Sequence, residues 1–356
     1  MRFNQQHSMA VYAPDVNPLH VQLSGPLNYS FIVLFLSRGV LLHSLFVLLF
    51  FFVKISVAQP QLEIFLAETS QAEISQAEKT VEPDACNVKA IRQLQRNAPG
   101  QLIKITSDST PVHLIEKTAR QYRYKIIRRL PHNTAAFTQG LTFYNGFLYE
   151  GTGLLGKSEI RQLEANTGKL IKSRKTDALI FGEGISIRRN HLVQISWKSE
   201  RAHIYDTKTL NLLKELKYKG EGWGVTHIGD KMLISNGSSL LQWHNAENLA
   251  DTGIDEGIRV TASGIELQGI NELEYANGFI YANVWPTDCI AEIDPGTGNV
   301  NAWIDLTDLY PAPLRTDWNA VSNGIAYQPD KNVFYVTGKY WPYIYVISLQ
   351  LPEKDA

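Results

Sequence analysis

The sequence predicts an all-β fold for residues 121–351, and three observations support this prediction. Apolar and polar residues alternate with a period of two, as in residues 122–127, which is the pattern of half-buried strands. Asn-Gly and Thr-Gly pairs interrupt these runs at short intervals, and Asn-Gly between alternating runs marks a β-hairpin. From residue 122 onward the chain offers no convincing amphipathic helix, so we expect strands throughout.

The third observation is an internal repeat, because five segments of this region share one pattern. Each begins with a dipeptide that usually ends in glycine, followed by a short alternating strand, a turn and a second apolar strand. Their spacing of 40 to 52 residues accommodates four strands, which is the size of one blade of a β-propeller. The segments begin at Gln139-Gly140, Glu183-Gly184, Trp223-Gly224, Asn271-Glu272 and Asn323-Gly324.

The first strand of residues 121–351 supplies the strand that the last repeat lacks. The fifth segment finishes after Ile344–Ser348, about one strand short, while the strand Tyr122–Arg129 precedes the first segment and has no other partner. We therefore predict a five-bladed β-propeller, with the ring closed by the N-terminal strand of the domain joining the last blade. A β-sandwich or a barrel would explain the alternation but not the near-regular spacing.

The residues before this domain lack the pattern and divide into three parts. Residues 1–30 form a polar N-terminal extension. Residues 31–58 contain a dense apolar run after Arg38 and small residues before Gln59, which fits either a cleaved signal peptide or an uncleaved membrane anchor. In both cases we expect the bulk of the chain to be exported, facing outside the cytoplasm. Residues 59–120 are interpreted as a linker and a poorly defined region.

Composition and charge exclude several classes of function. The formal net charge is -1, from 34 basic and 35 acidic residues, so nucleic acid is not expected as a partner. The cysteines are Cys86 and Cys289; they are too few for a four-cysteine zinc site, and one disulfide or two separate thiols both remain open. No histidine or cysteine cluster has metal-ligand spacing and no phosphate loop appears, so we predict no metal and no cofactor.

The repeat also places candidate functional residues at one opening. In a propeller the first strand of each blade lines the central channel, so the residue before the shared glycine faces the channel mouth. Glu183 lies between Gly182 and Gly184, and a carboxylate among indoles is costly without a purpose. The tryptophans could instead pack between blades, and Asn323 could satisfy backbone groups. The candidates at this mouth are Gln139, Glu183, Trp223, Asn271 and Asn323, with Trp197, Trp285 and Lys339 after second strands.

Six motifs, in this order, resemble the plant and bacterial type of glutaminyl-peptide cyclotransferase. That family is a five-bladed propeller and is unrelated to the animal type, which is a zinc enzyme. The resemblance covers about residues 122–349, and its motif residues are all present in this chain. The motifs are Thr134–Gly140, Phe181–Ile185, Gly222–Gly224, Ile270–Glu274, Asn283–Trp285 and Asn323–Ala326.

The resemblance implies an acyltransferase that converts the N-terminal glutamine of a peptide or protein to pyroglutamate and releases ammonia. Glu183 would move the proton, and Lys339, Gln139 or Asn271 would stabilise the oxyanion. We expect a monomer that meets a membrane only through its N-terminal segment. The predicted catalytic residues are Glu183, Lys339 and Asn271, and the predicted substrate-binding residues are Phe137, Gln139, Trp197, Trp223, Trp285 and Asn323.

Two other functions compete with this interpretation. A non-catalytic propeller could use the same mouth to capture a ligand or a partner protein. A lactonase-type propeller hydrolase would hold a calcium ion in its channel, but that ion needs several converging oxygen ligands. The sequence offers only Glu183 and, less directly, Glu272 for that purpose.

Overall fold

The computed structural model describes residues 86–97, 119–250 and 257–350. These ranges consist mostly of antiparallel strands together with one α-helix of ten residues, α1 (Val88–Asn97). The predicted all-β fold is therefore confirmed.

The predicted N-terminal segments lie largely beyond these ranges. The polar extension 1–30, the signal or anchor 31–58 and most of the linker 59–120 are outside the described residues. Among the residues that are described, no helix has the length and apolar character needed to cross a membrane.

The chain enters the sheets through strand β1 (Arg120–Pro131). Three four-stranded antiparallel sheets follow, each built from consecutive strands. The first contains β2 (Thr138–Tyr144), β3 (Phe147–Thr152), β4 (Glu159–Glu164) and β5 (Leu170–Lys175). The second contains β6 (Gly182–Arg188), β7 (His191–Ser196), β8 (Arg201–Asp206) and β9 (Leu212–Lys217). The third contains β10 (Val225–Ile228), β11 (Lys231–Ile234), β12 (Leu240–Asn245) and β13 (Gly257–Arg259).

The remaining strands form a small ribbon and one large sheet. The ribbon contains β14 (Thr261–Ala262) and β15 (Ile265–Glu266). Next along the chain are β16 (Ile270–Ala276), β17 (Phe279–Val284), β18 (Cys289–Ile293) and β19 (Val300–Asp305). The last strands are β20 (Ser322–Gln328), β21 (Val333–Gly338) and β22 (Tyr343–Gln350). The eight-stranded sheet has the order β16-β17-β18-β19-β1-β22-β21-β20.

Strand β1 links the two halves of this large sheet. It pairs antiparallel with β22 from Arg123 opposite Gln350 to Pro131 opposite Tyr343. This is the pairing predicted for the strand that precedes the first repeat. The first residues of β1 also pair in parallel with β19, a contact that the sequence did not predict, and this second contact merges two four-stranded sets into one sheet.

The first strands of the five sets lie side by side. Strand β2 contacts β6, β6 contacts β10, β10 contacts β16, β16 contacts β20, and β20 contacts β2. The repeated glycines permit this close approach: a Cβ on Gly184 would lie 2.8 Å from the Cα of Gly224, and one on Gly224 would lie 2.0 Å from the backbone oxygen of Asn271. Only a hydrogen atom fits at these two positions.

The fourth repeat has Glu272 where the others have glycine, and this side chain connects neighbouring sets. Its Oε1 accepts a hydrogen bond from the Leu141 N–H at 3.2 Å, and its Oε2 accepts one from the Ile325 N–H at 2.9 Å. Burial raises the pKa of Glu272 well above its usual range. Both oxygens are engaged by backbone groups of β2 and β20, so this carboxyl holds first strands together.

The core lies between adjacent sheets. Apolar side chains of β7, such as Val193 and Ile195, pack with Met232 and Ile234 of β11. By contrast, the outermost strands β5 and β9 are largely exposed. The first three strands of these two sheets are therefore much more buried than the fourth.

Helix α1 is an element that the sequence analysis did not predict. The side chain of Asn87 accepts a hydrogen bond from the Ala90 N–H at 2.9 Å and caps the helix. Val88 and Ile91 pack into the core cluster that contains β17 and β18. A disulfide between Cys86 and Cys289 fixes the start of the helix to β18, which answers the question that the sequence left open.

Candidate active site

One pocket of about 350 Å³ collects eight of the nine predicted site residues. They come from the beginnings of first strands and the ends of second strands, as the repeat predicted. The eight are Phe137, Gln139, Glu183, Trp197, Trp223, Asn271, Trp285 and Lys339.

Glu183 is the most deeply placed acid of this pocket. Its side chain is only 4% exposed, because the neighbouring glycines keep β6 close to the strands beside it. Its Oε2 has no hydrogen-bond partner in the described part of the chain. Burial raises the pKa of Glu183 well above the usual range of a carboxyl, while Lys339 and Gln139 oppose that rise. A carboxyl with a raised pKa and one unpartnered oxygen therefore lines the cavity.

Lys339 is the buried cation of the same pocket. It follows β21, where its N–H donates to the carbonyl of Val321 at 3.1 Å, and it is 4% exposed. Its Nζ lies 4.6 Å from the centre of the Phe137 ring. Burial lowers the pKa of Lys339 to about 8, against the opposing effect of Glu183 and Asp317. This side chain can therefore gain or lose its charge near neutral pH.

Asn323 is the predicted site residue that does not line the pocket. Its Nδ2 donates to the Oε1 of Gln139 at 3.0 Å and to the carbonyl of Thr138 at 2.9 Å. Asn323 thus stands behind Gln139 and orients its amide. With its oxygen occupied by Asn323, the Gln139 side chain presents its N–H groups as donors, which is consistent with its effect on the pKa of Glu183.

Asn271 lines the pocket from β16. The side chain is 3% exposed, and its Oδ1 has no partner among the described residues. Its backbone oxygen accepts from the Ser235 hydroxyl at 2.6 Å, which anchors this part of β16. The pocket therefore offers a free amide oxygen as a hydrogen-bond acceptor.

The three predicted tryptophans form the walls, and the N–H of each indole donates to a side-chain acceptor. Trp197 and Trp223 both donate to Oε2 of Glu221, at 3.1 and 3.3 Å. Trp285 donates to Oδ1 of Asn319 at 3.1 Å and meets Trp223 edge to face, with ring centres 6.2 Å apart. Since the N–H of each of these three indoles is already hydrogen-bonded, the walls present apolar ring surface to the cavity.

Several residues of the pocket were not predicted. Phe181 lies two positions before Glu183 in the motif Phe181–Ile185. An aromatic residue so close to that glutamate could have been predicted as part of the site. The segment between β19 and β20 lies outside the repeated pattern and carries no periodic signal. The additional lining residues are Leu154, Phe181, Asp317, Trp318, Asn319 and Tyr340.

The charged groups of the pocket do not form a metal cluster. Within the described ranges, no three His, Cys, Asp or Glu side chains are arranged so that they could hold a metal ion. The buried charges at the pocket floor are instead one acid, Glu183, and one base, Lys339. This combination suits proton transfer to or from a small polar group.

The fold is all-β, and its pocket combines a buried acid and a buried base with aromatic walls. These are the features of an enzyme that transfers protons to or from a polar group of its substrate. The comparisons with known proteins identify the family. Residues 101–349 match the family model of glutamine cyclotransferase. This chain belongs to that family, which confirms the resemblance that the motifs indicated and extends it upstream of residue 122.

Two relatives illustrate the relationship. A glutaminyl-peptide cyclotransferase of Arabidopsis thaliana is 37% identical over 230 residues, which are 64% of this chain and 71% of that protein. The crystal structure of Myxococcus xanthus glutaminyl cyclase has 34% identity and a TM-score of 0.61, and the match covers 66% of this chain and all of that one. The chain is accordingly an enzyme of the acyltransferase class.

Proposed function

We propose that this protein converts the N-terminal glutamine of peptides or proteins to pyroglutamate and releases ammonia. The observation that supports this most directly is the buried carboxyl of Glu183, which has an unpartnered oxygen at the floor of an aromatic pocket. Membership of the glutamine cyclotransferase family supports the same reaction.

The reaction joins two groups of one glutamine residue. Its α-amine has an ordinary pKa of about 7.7–8.0, so much of it is neutral at mild pH and can attack the γ-amide carbon without a strong base. A bond forms between the amine nitrogen and that carbon, and the bond to the amide nitrogen breaks. Glu183 takes one proton from the attacking nitrogen and returns it to the leaving nitrogen, which departs as ammonia.

The walls of the pocket lower the barrier by holding the glutamine bent. Trp197, Trp223 and Trp285 restrict the side chain to a folded conformation in which amine and amide meet. Holding two reacting groups in contact can remove several kcal/mol from a barrier, about 7 at the lower end for well-oriented groups. The hydrogen bonds from the three indoles to Glu221 and Asn319 keep these walls in place.

The polar residues of the floor divide the remaining tasks. We assign oxyanion stabilisation to Lys339, because it is the buried cation next to Glu183, with Gln139 as a second donor. The free Oδ1 of Asn271 accepts a hydrogen bond from a substrate N–H group. Asn323 acts through Gln139 and does not touch the substrate.

We also infer that the domain over residues 121–351 is a five-bladed β-propeller. The contacts among the five first strands support this arrangement, as does the succession of four-stranded sets. The pairing of β1 with β22 supports closure of the last blade by the N-terminal strand of the domain.

We propose that the chain is exported and acts as a monomer. The disulfide between Cys86 and Cys289 supports an oxidising compartment. Residues 31–58 would supply the signal or anchor, so that any membrane contact is made only through this N-terminal segment.

The role of Glu183 is tested by Glu183→Gln in the full chain, with a peptide that begins with glutamine. We expect kcat to fall about 10²–10⁴-fold, because the amide cannot carry the proton. The matched control is Glu274→Gln, since Glu274 is another inward glutamate with a pKa raised by burial, to about 8, but it does not line the pocket.

Two outcomes would contradict the proposal. Equal kcat values for Glu183→Gln and the control would remove Glu183 from the proton transfer. A wild-type chain that binds glutaminyl peptides without converting them would instead favour the non-catalytic binding propeller.

A further inference from the structure

The pocket has a buried floor and a partly exposed rim. The floor consists of the residues assigned to the reaction. The rim includes Asp317 and Trp318, which belong to the connection between β19 and β20. Trp318 is 54% exposed, a large aromatic surface left open to solvent at the entrance of a substrate pocket.

Asp317 holds its loop with one carboxylate oxygen and leaves the other unused. Its Oδ1 accepts from the Asn319 N–H at 2.8 Å, and its carbonyl accepts from the Ala320 N–H at 3.0 Å. No described residue donates a hydrogen bond to Oδ2 or forms an ion pair with this carboxylate. The rim therefore carries a negative charge that forms no ion pair within the described ranges, although it lies near enough to the buried Lys339 to help keep that lysine charged.

Trp318 is fixed beside this charge. Its ring meets that of Trp285 edge to face, with centres 6.1 Å apart, so a wall residue sets its orientation. A carboxylate next to an exposed indole favours a cation that can lie over the ring while approaching the acid.

The same molecule already contains this combination beside Trp197, one of the walls of the pocket. The Nζ of Lys198 lies 4.2 Å from the centre of the Trp197 ring and 3.6 Å from Oε1 of Glu221. There the chain supplies its own lysine to an indole and a carboxylate. At Trp318 and Asp317 the indole and the carboxylate are present, but no cation of the described residues lies over this indole.

We propose that Asp317 and Trp318 form a subsite for the residue that follows the N-terminal glutamine, and that this subsite prefers lysine or arginine. The inference is based on the proposed function, in which the glutamine fills the floor. One residue extends the chain by only about 3.3–3.6 Å, so the second residue is the one that meets the rim. Its side chain ammonium or guanidinium then lies over Trp318 and pairs with Asp317.

The test compares the full chain on three peptides that differ only in their second residue, which is lysine, methionine or glutamate. We expect kcat/KM to be about 3- to 10-fold higher for the lysine peptide than for the methionine peptide, and lowest for the glutamate peptide. Higher ionic strength should weaken this preference, because the rim is open to solvent.

Asp317→Asn should remove the preference, measured as the ratio of kcat/KM for the lysine peptide to that for the methionine peptide, because an effect of this change through Lys339 is common to both peptides. Asparagine keeps an oxygen that can accept the Asn319 N–H, so the loop retains its cap. Asp330→Asn is the matched control, because Asp330 is an exposed aspartate outside the pocket, and it should behave as wild type.

The outcomes separate the subsite from the proposed function. If the three peptides are cyclised equally well, or if Asp317→Asn keeps the lysine preference, the subsite is wrong and the proposed function stands. If the wild-type chain cyclises none of the three peptides, both the proposed function and the subsite fail.

Discussion

At the scale of single residues, the fold buries an acid, Glu183, and a base, Lys339, in the same pocket. An isolated buried charge is strongly disfavoured, and Glu183 and Lys339 are each 4% exposed. Their mutual attraction partly offsets the effect of burial on both pKa values. Each side chain is thereby brought toward a pKa at which it can exchange or share a proton under mild conditions.

The pKa of Lys339 leads to a prediction about pH. The substrate amine must be neutral, so kcat/KM should rise up to about pH 8. Lys339 must be charged to stabilise the oxyanion, and its pKa is about 8, so the rate should fall above that pH. We therefore expect a bell-shaped profile, and Lys339→Arg should lose the alkaline decline because a guanidinium stays charged.

The control for this experiment is Lys331→Arg, since Lys331 is an exposed lysine that does not line the pocket. It should retain the wild-type profile. An alkaline decline that persists at the same pH in Lys339→Arg would show that another group is responsible.

The residues of the floor were more predictable than those of the rim. Glu183 could be found because the repeat and its flanking glycines mark it. Glu221, which holds two indoles, and Asp317 could not be found in the same way. They occupy connections without a repeated pattern, where only the three-dimensional fold shows which side chains meet.

At the scale of elements, helix α1 reaches the site from a distant part of the sequence. The buried side chain of Gln95 donates to the carbonyl of Gln268 at 2.8 Å and to that of Trp285 at 3.1 Å. Trp285 is a wall of the pocket, so the helix helps to hold the segment that positions this indole. The disulfide at Cys86 keeps the helix in place.

Gln95→Ala should therefore lower both stability and kcat. It leaves two carbonyls without this donor, at a cost of about 1–3 kcal/mol for each group that stays buried and unsatisfied. A small displacement of Trp285 should reduce kcat roughly 10-fold, since misplacement near 1 Å can cost more than that. Thermal unfolding and steady-state kinetics of the full chain measure the two effects.

The appropriate comparison is Arg92→Ala on the same helix. Arg92 donates to the carbonyl of Glu266 at 3.4 Å, which belongs to β15 and not to a wall of the pocket. It should lower stability without changing kcat. Unchanged kcat in Gln95→Ala, despite lower stability, would mean that α1 supports the fold but not the site.

The elements were not equally predictable. The first strands of the repeats were predicted because steric contact between neighbouring strands demands glycine at one position in most of them. Helix α1 was missed because it spans ten residues, and it buries few apolar side chains. The ribbon of β14 and β15 was also missed, since strands of two residues show no period.

At the scale of the whole molecule, contacts between segments far apart in the sequence hold the sheets together. Strand β1 lies against β22, and the disulfide joins positions 203 residues apart. In the chain-entropy view, closing a loop of that size stabilises the folded state by up to about 5 kcal/mol. The pairing of β1 followed from a missing strand in the last repeat, whereas two distant cysteines gave no indication of their pairing.

The most direct test of the central claim is the conversion of a peptide by the purified full chain. A peptide that begins with glutamine is compared with the same peptide acetylated at its α-amine, and mass spectrometry follows the loss of ammonia. We predict that the free peptide loses one ammonia and that the acetylated peptide is unchanged, because its nitrogen cannot attack. Loss of ammonia from both peptides, or from neither, would contradict intramolecular cyclisation by this enzyme.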